Sequence, residues 1–396
     1  MRDPLFRMAL LLGLLSAVGP FAIDMYLPAL PQVAADLGTD EAGAGLTLTA
    51  YFLVFGVAQM IYGPLADAIG RKKPLMIGVA IFFVATVLAA MAPDLPTLVA
   101  ARALQALGAA TLMAVPRAVI RDMASGPDAA RMMAAIMIVI SISPMLAPLT
   151  GSIVLAFGGW REIFMVLAVA SVISLLLIIF ALPETLPVAE RRPVRVRAML
   201  AGFRRLLTDR SFMGLTMIGG FGMASFFVFL ATGSFVYTRE FGLSPTGFSI
   251  AFAINAIGFF GASQLAGRFS ARYGMQRVIV LAISGFMAST VLLAIVAFAG
   301  LASLPVVVAG LFIANACLGL VIPTAMVMAM DPHPDIAGLA SSLGGTIQML
   351  TGGVMIVITG LLLDNSAMGM TAAIALCGVM AFAAAALSLP MRRLAV

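Results

Sequence analysis

The stretch "GPLADAIGRKK", residues 63–73, returns in altered form as "GRFSARYGMQR", residues 267–277. Gly63 matches Gly267 and Gly70 matches Gly274, at an offset of 204 in a chain of 396 residues. An offset near half the length is the mark of a duplicated membrane unit. The first copy lies between the charge-free runs 42–66 and 74–93. Either run is long enough for a helix across a hydrocarbon core of roughly 30 Å, which takes about 20 apolar residues. The quoted stretch therefore reads as a short polar loop joining two membrane crossings, and the chain contains it twice.

The same criterion finds runs at 8–23, 132–160, 163–183, 211–238, 241–267, 336–363 and 365–391. The uncharged stretch 278–330 is too long for one helix, and "GLASLP" at 300–305 divides it into two spans. Residues 95–120 form one more, interrupted by Arg102 and Arg117. Only 10% of residues are charged, against about 25% in soluble domains. The expected fold is an all-α membrane protein of 12 transmembrane helices in two pseudo-symmetric six-helix bundles. The N-terminal bundle covers 1–183, a cytoplasmic linker 184–211, and the C-terminal bundle 212–396. Within the linker an interfacial helix is expected near 198–207.

Lys and Arg in short connections set the orientation, because cytoplasmic loops carry the excess. With the N-terminus inside, nineteen of the 23 basic residues fall on the cytoplasmic side, and both termini lie there. The net charge of +6 then reflects topology and anionic inner-leaflet lipids as partners, with no nucleic acid. Arg2 and Arg7 open a retained first span rather than a signal peptide, because the run continues to Pro28. Cys317 and Cys377 lie within predicted spans, which argues against a disulfide framework. His333, the only histidine, is expected as a solvated loop residue, and no metal site is expected.

One acid lies well inside a span. At 1.5 Å per residue, Asp24 sits about 6 Å below the outer end of the first span, taken at Pro28, and Arg102 about 9 Å below the same face in the fourth. A lone charge at depth costs about 2.5–3.5 kcal/mol or more, so such groups pair, face a cavity or take up protons. Pairing of Asp24 with Arg102 would offset part of that cost, burial favouring the neutral acid and the guanidinium the charged one; the sequence leaves open whether the two pair directly. A carboxyl held between these influences suits proton coupling; a permanent structural pair is the plainer alternative. Gln105 is placed to orient Arg102, and Gly108 to admit another helix, with core packing an equal reading for both. Arg117 and Arg121, near the inner end of the same span, are expected to snorkel.

Tyr26, Tyr51 and Gln59 in the first half, with Asn255, Asn315 and Gln348 in the second, are the candidate substrate contacts. Interhelical hydrogen bonding is the alternative for each. The 28 Met and 26 Phe residues supply pliable apolar surface for varied ligands. Trp160, the only tryptophan, is expected as an anchor at the outer interface.

Several stretches carry a family resemblance. "GPLADAIGRKKPLMIG" at 63–78 is similar to the cytoplasmic-loop signature of the major facilitator superfamily, and "RALQALGAA" at 102–110 resembles its fourth-span arginine motif. "IDMYLPALP" at 23–31, "GSFVYTREFGLSPTGFSIAFAINA" at 233–256 and "GLASSLGGTIQMLTGG" at 338–353 are similar to the Bcr/CflA branch of drug:proton antiporters. The resemblance covers almost the whole chain. It implies a proton-coupled secondary transporter of the bacterial inner membrane that exports amphipathic drugs of the bicyclomycin, chloramphenicol or sulfonamide kind by alternating access.

No cofactor is implied, the proton gradient being the energy source, and no GxxxxGK[ST] sequence points to ATP. A monomer is expected. The fifth-span antiporter motif departs from the family pattern: in "SPMLAPLTGS", 143–152, Ser143, Ala147 and Ser152 stand at glycine places. Pro144, Pro148 and Gly151 remain to interrupt the helix and admit a neighbour. In the loop signature, Gly63 and Gly70 are expected to allow a tight turn and close helix contact, while Arg71, Lys72 and Lys73 hold the loop inside. Asp67 would latch onto the dipole of the eleventh span, which starts near Ile336. Two other readings stay open: a transporter of one small metabolite, and a multispan membrane enzyme, which would need a cluster of His, Cys, Asp or Glu that the spans lack.

Overall fold

The computed structural model describes residues 4–191, 193–363 and 366–389. Among these residues all regular elements are helical, and twelve spans are long and apolar enough to cross a membrane. The chain divides into two compact units, Met1–Arg195 and Val196–Val396. The boundary falls inside the segment read as a linker, whose first part belongs to one unit and whose second part belongs to the other.

In the first unit, α1 (Pro4–Asp24) passes through a 3-10 turn (Leu27–Ala29) into α2 (Leu30–Asp36), and these together make one span. Then follow α3 (Glu41–Ile69), α4 (Lys72–Ala90), α5 (Leu95–Met123), α6 (Gly126–Phe157) and α7 (Trp160–Ala181). Helices begin where side chains replace the missing preceding turn. Asp40 accepts the Gly43 amide at 2.7 Å to open α3, and Asp94 accepts that of Thr97 at 2.9 Å to open α5. Inside the spans many hydroxyls fold back on a carbonyl one turn earlier, as Thr49 does on Gly45 and Thr86 on Phe82, which satisfies those donors within their own helix.

The second unit starts with α8 (Val196–Thr208), close to the helix expected at 198–207. Gly202, Phe203 and Leu206 bury one face of α8, while Val196, Leu200 and Leu207 stay exposed. The spans are α9 (Arg210–Arg239), α10 (Pro245–Tyr273), α11 (Met275–Phe298), α12 (Leu304–Met330), α13 (Ala337–Leu362) and α14 (Ala367–Ser388). Residues 278–330 divide as expected, with Gly300 at φ +72° in the break.

Duplication shows in the packing as well as in the loop. In the first unit α3 and α4 pack on α5, α1 on α6 and α4 on α7; in the second α10 and α11 pack on α12, α9 on α13 and α11 on α14. Each pair has its counterpart. Gly70 and Gly274 turn the chain at φ +95° and +85°, a region costly for any residue with a Cβ. Within its own unit Gly63 does not mark the close helix contact expected of it: a Cβ there, as on Gly267, would meet nothing within 4 Å. What the two copies share is the backbone turn.

At Gly70 a Cβ would also overlap the Glu184 carboxylate, whereas at Gly274 it would meet open space. Gly70→Ala is therefore expected to lower the thermal midpoint of the purified protein clearly more than Gly274→Ala, which bears the φ cost alone, about 1–2 kcal/mol. Equal losses in the two melts would contradict the role given to Glu184.

Candidate functional site

The break in the first span creates the site. Helix α1 stops at Asp24, and Pro28 in the 3-10 turn redirects the chain without ending the crossing, which runs on to Asp36. Asp24 thus lies twelve residues before the end of its span rather than four, deeper than the sequence depth estimate. Its side chain is 5% exposed. Helix α6 closes over the break because Gly151 has no side chain: a Cβ there would overlap the Met25 carbonyl oxygen. Pro144 and Pro148 lie within α6, which stays helical through both.

Arg102 on α5 is 0% exposed and makes no ion pair with Asp24, the arrangement the sequence left open. Other groups take up the guanidinium. Its Nη1 donates to the Ala22 carbonyl at 2.9 Å, one of the last four carbonyls of α1, which a helix end leaves without intrahelical partners. The same nitrogen donates to Gln105 Oε1. The guanidinium carbon lies 4.5 Å from the ring centre of Tyr51, 4.9 Å from that of Tyr26 and 5.8 Å from that of Phe164. Cation–π contacts gain strength when desolvated, which is why this charge tolerates burial without a counter-ion. Nε and Nη2 have no hydrogen-bond partner.

Gln105, which accepts from Arg102, is itself held, its Nε2 donating to Thr86 Oγ1 at 2.8 Å. Gly108 brings α5 against α4 so closely that a Cβ would stand 2.6 Å from the Phe82 amide nitrogen. Tyr26 meets the Thr47 hydroxyl at 3.2 Å, and Tyr51 reaches toward the Gly19 carbonyl at 3.5 Å. Both candidate tyrosines therefore belong to the Arg102 surroundings. Phe164, Thr47 and Thr86 belong there too and were not singled out in the sequence. Thr86 had a visible signal, as the only polar side chain in the run 74–93.

The remaining candidates lie elsewhere. Gln59 on α3 has a buried Nε2 with no partner. In the second unit Asn255 donates to the Ala251 carbonyl at 3.1 Å, and its Oδ1 and the neighbouring Tyr237 hydroxyl are both buried without a hydrogen bond of good geometry. Around them stack Phe229 and Phe252, with ring centres 5.9 Å apart, and Phe248. Gln348 covers Gly219 and, with Thr216, Met326 and Met330, lines a pocket of about 260 Å³ counting its open mouth. Neither Asn255 nor Asn315 lines that pocket.

The loop signature forms a charged cluster within the first unit. Arg71, buried, donates to Asp67 at 2.5 Å and to both oxygens of Asp122 at 2.7 and 3.2 Å. Glu184 caps α4 through the amides of Arg71 at 2.8 Å and Lys72 at 3.3 Å. Desolvation pushes the Glu184 carboxyl up, but the amides of Arg71, Leu186 and Lys72, with Arg191 beside them, outweigh it and hold the group below its ordinary value. The cap is then fully in place at neutral pH and weakens only as pH falls through that lowered value.

Two residues sit otherwise than expected. Trp160 is 1% exposed, its indole donating to Asp36 at 3.0 Å, so it ties α7 to the end of α2 instead of anchoring in the interface. His333 is 5% exposed and lies 2.8 Å from Asp209, which also accepts the Ser211 and Phe212 amides at the start of α9. It is a packed residue of the second unit, not a solvated one. Cys317 and Cys377 are both free.

A profile of the Major Facilitator Superfamily matches residues 12–356 and 233–395. The chain is 35% identical to the "Uncharacterized MFS-type transporter YdgK" of Bacillus subtilis (strain 168), over 89% of this chain and 88% of that one. It is 30% identical to "Multidrug resistance protein D" of Escherichia coli (strain K12), over 90% and 89%. It is 27% identical to the "Bicyclomycin resistance protein homolog" of Haemophilus influenzae, over 88% of each. Among solved structures, a bacterial homologue of the human lysosomal transporter Spinster, inward-facing and unoccupied, superposes with a TM-score of 0.77 at 16% identity, over 99% of this chain and 98% of that one. That likeness concerns the fold.

Proposed function

Since the chain belongs to the Major Facilitator Superfamily, and is a multi-pass membrane transporter rather than an enzyme, we propose that it exports amphipathic drugs in exchange for protons. The observation that carries this reading is Asp24: a buried carboxyl deep in a span, two residues after the Ala22 carbonyl that holds a buried arginine, whose charge is taken up by other groups. An acid with no cation bonded to it is not locked in its charged form. Its protonation then follows the polarity of its surroundings, neutral when the site is closed and ionised when water or a cationic drug enters. Arg102 supplies a fixed positive potential that keeps both states accessible. Tyr26, Tyr51 and Phe164 are fully buried with the guanidinium against their rings, so they hold the charge in place and do not offer an open surface to cargo.

The relatives' names, which refer to multidrug and bicyclomycin resistance, support drugs as cargo. Energy comes from the proton gradient, with no cofactor, and the transporter acts as a monomer by alternating access. The excess of Lys and Arg in one set of connections supports an inner-membrane protein with both termini in the cytoplasm. Arg2, Arg192, Arg392 and Arg393, which contribute to that excess, lie outside the described residues. Lipid is the remaining partner: on α8 the exposed Val196, Leu200 and Leu207 run beside exposed Arg197 and Arg204, which suits the surface of an anionic bilayer.

The test is a panel assay in vesicles with an imposed pH gradient, using bicyclomycin, chloramphenicol and a sulfonamide. At least one is expected to dissipate the gradient in a protein-dependent manner. Silence across the panel, with proton movement triggered by a single metabolite, would favour the narrower transporter reading.

A further inference from the structure

We propose that Thr86 is a positioning residue for Arg102: its hydroxyl fixes which way the Gln105 amide faces, and so keeps an acceptor on the guanidinium. The inference rests on the reading above, in which Arg102 sets the conditions under which Asp24 takes up a proton.

A side-chain amide presents an oxygen on one side and an NH₂ on the other, and its environment must decide between them. Here Thr86 decides. Its one hydroxyl proton goes to the Phe82 carbonyl at 2.6 Å, so that toward Gln105, at 2.8 Å, it offers only lone pairs. Gln105 must point its NH₂ at Thr86, and Oε1 then faces Arg102. The opposite orientation would set NH₂ against the guanidinium and oxygen against oxygen. Thr86, Gln105 and Arg102 are all fully buried, so no water relieves either clash. Gly108 makes the relay possible, since its missing Cβ lets α5 approach the Phe82–Thr86 turn of α4.

Arg102 depends on this acceptor. Only its Nη1 has hydrogen-bond partners, the Ala22 carbonyl and Gln105, while Nε and Nη2 have none. Without Thr86 the buried Gln105 NH₂ has no partner, so the amide turns away to find one, one of the two Nη1 bonds is lost, and the guanidinium turns toward Asp24, the carboxylate at the same end of α1 as Ala22. Direct pairing would keep Asp24 ionised to lower pH. The pH at which drug-driven proton exchange is half-maximal should therefore fall.

The experiment compares that pH midpoint, with bicyclomycin or whichever drug of the panel is active, in the parent, Thr86→Val, Thr86→Ser, Gln105→Glu and the Thr86→Val/Gln105→Glu double variant. Thr86→Val is expected to move the midpoint down by about one unit, a tenfold change in proton affinity. Thr86→Ser should retain the parent value. A carboxylate at 105 accepts through either oxygen, so Thr86→Val should add no shift in the Gln105→Glu background, a non-additive cycle. A parent-like midpoint in Thr86→Val, or the same shift in both backgrounds, overturns the proposal.

Should Thr86→Val not fold, Thr86→Ala replaces it with the same expectations. Thermal melts of the same set read the hydrogen bond without transport: the loss from Thr86→Val is expected in the Gln105 background and not with Gln105→Glu. Asp24→Asn is run in parallel. If it leaves the pH midpoint intact, the proton reading fails and the melts alone decide for or against Thr86.

Discussion

Asp24→Asn abolishes drug-dependent proton movement, lowering exchange by about two orders of magnitude or more, the scale at which removing a proton-transferring side chain is felt. The protein should nonetheless insert and fold as before. The variant keeps the shape of the side chain and removes only its ability to ionise, and Asp24 has no side-chain hydrogen bond or ion pair among the described residues to lose. Burying a neutral amide costs less than burying a charge. Vesicle transport and thermal melts together check this: lost exchange with a parent-like melt is the expected pair of results. A variant that melts early would mean that Asp24 has a structural task and that its transport defect says nothing of protons.

The second large effect is expected at Gly151. A Cβ at this position overlaps the carbonyl oxygen of Met25, and backbone, unlike a flexible side chain, has nowhere to rotate. In Gly151→Ala either α6 moves away or the turn after Asp24 shifts. Overpacking of this kind costs about 1–3 kcal/mol and sometimes more. The melt should fall accordingly and exchange should drop at least about tenfold, since a small misplacement of a reacting group is costly. Gly267→Ala, which meets nothing within 4 Å, serves as the control and should match the parent in both measurements.

The spans were legible in the sequence because lipid imposes one rule on all of them: backbone groups must bond within the segment and side chains must be apolar, which leaves a compositional trace. Gly70 and Gly274 were legible because a positive φ leaves little choice of residue. The end of the first span was not. Pro28 signals an interruption in any sequence, but near the start of a new helical segment the residue is tolerated, and α2 continues the crossing.

Trp160 and His333 were misjudged for a different reason. Their partners, Asp36 and Asp209, each lie 124 residues away, and local pattern carries no trace of such contacts. The neighbourhood of Asp24 and Arg102 was half visible. Depth counting brought the two residues to a similar level, but the loose carbonyl of Ala22 and the rings of Tyr26, Tyr51 and Phe164, which stand in place of a direct ion pair, come from the broken helix and from three-dimensional packing.

The most direct test of the account is proton release on drug binding, measured with a pH indicator on the purified protein in weakly buffered detergent solution. The parent is predicted to release protons when an active drug is added near the pH midpoint, and Asp24→Asn to bind the drug while releasing none. Equal release from both would contradict the assignment, and would place the exchanging group somewhere other than the break in the first span.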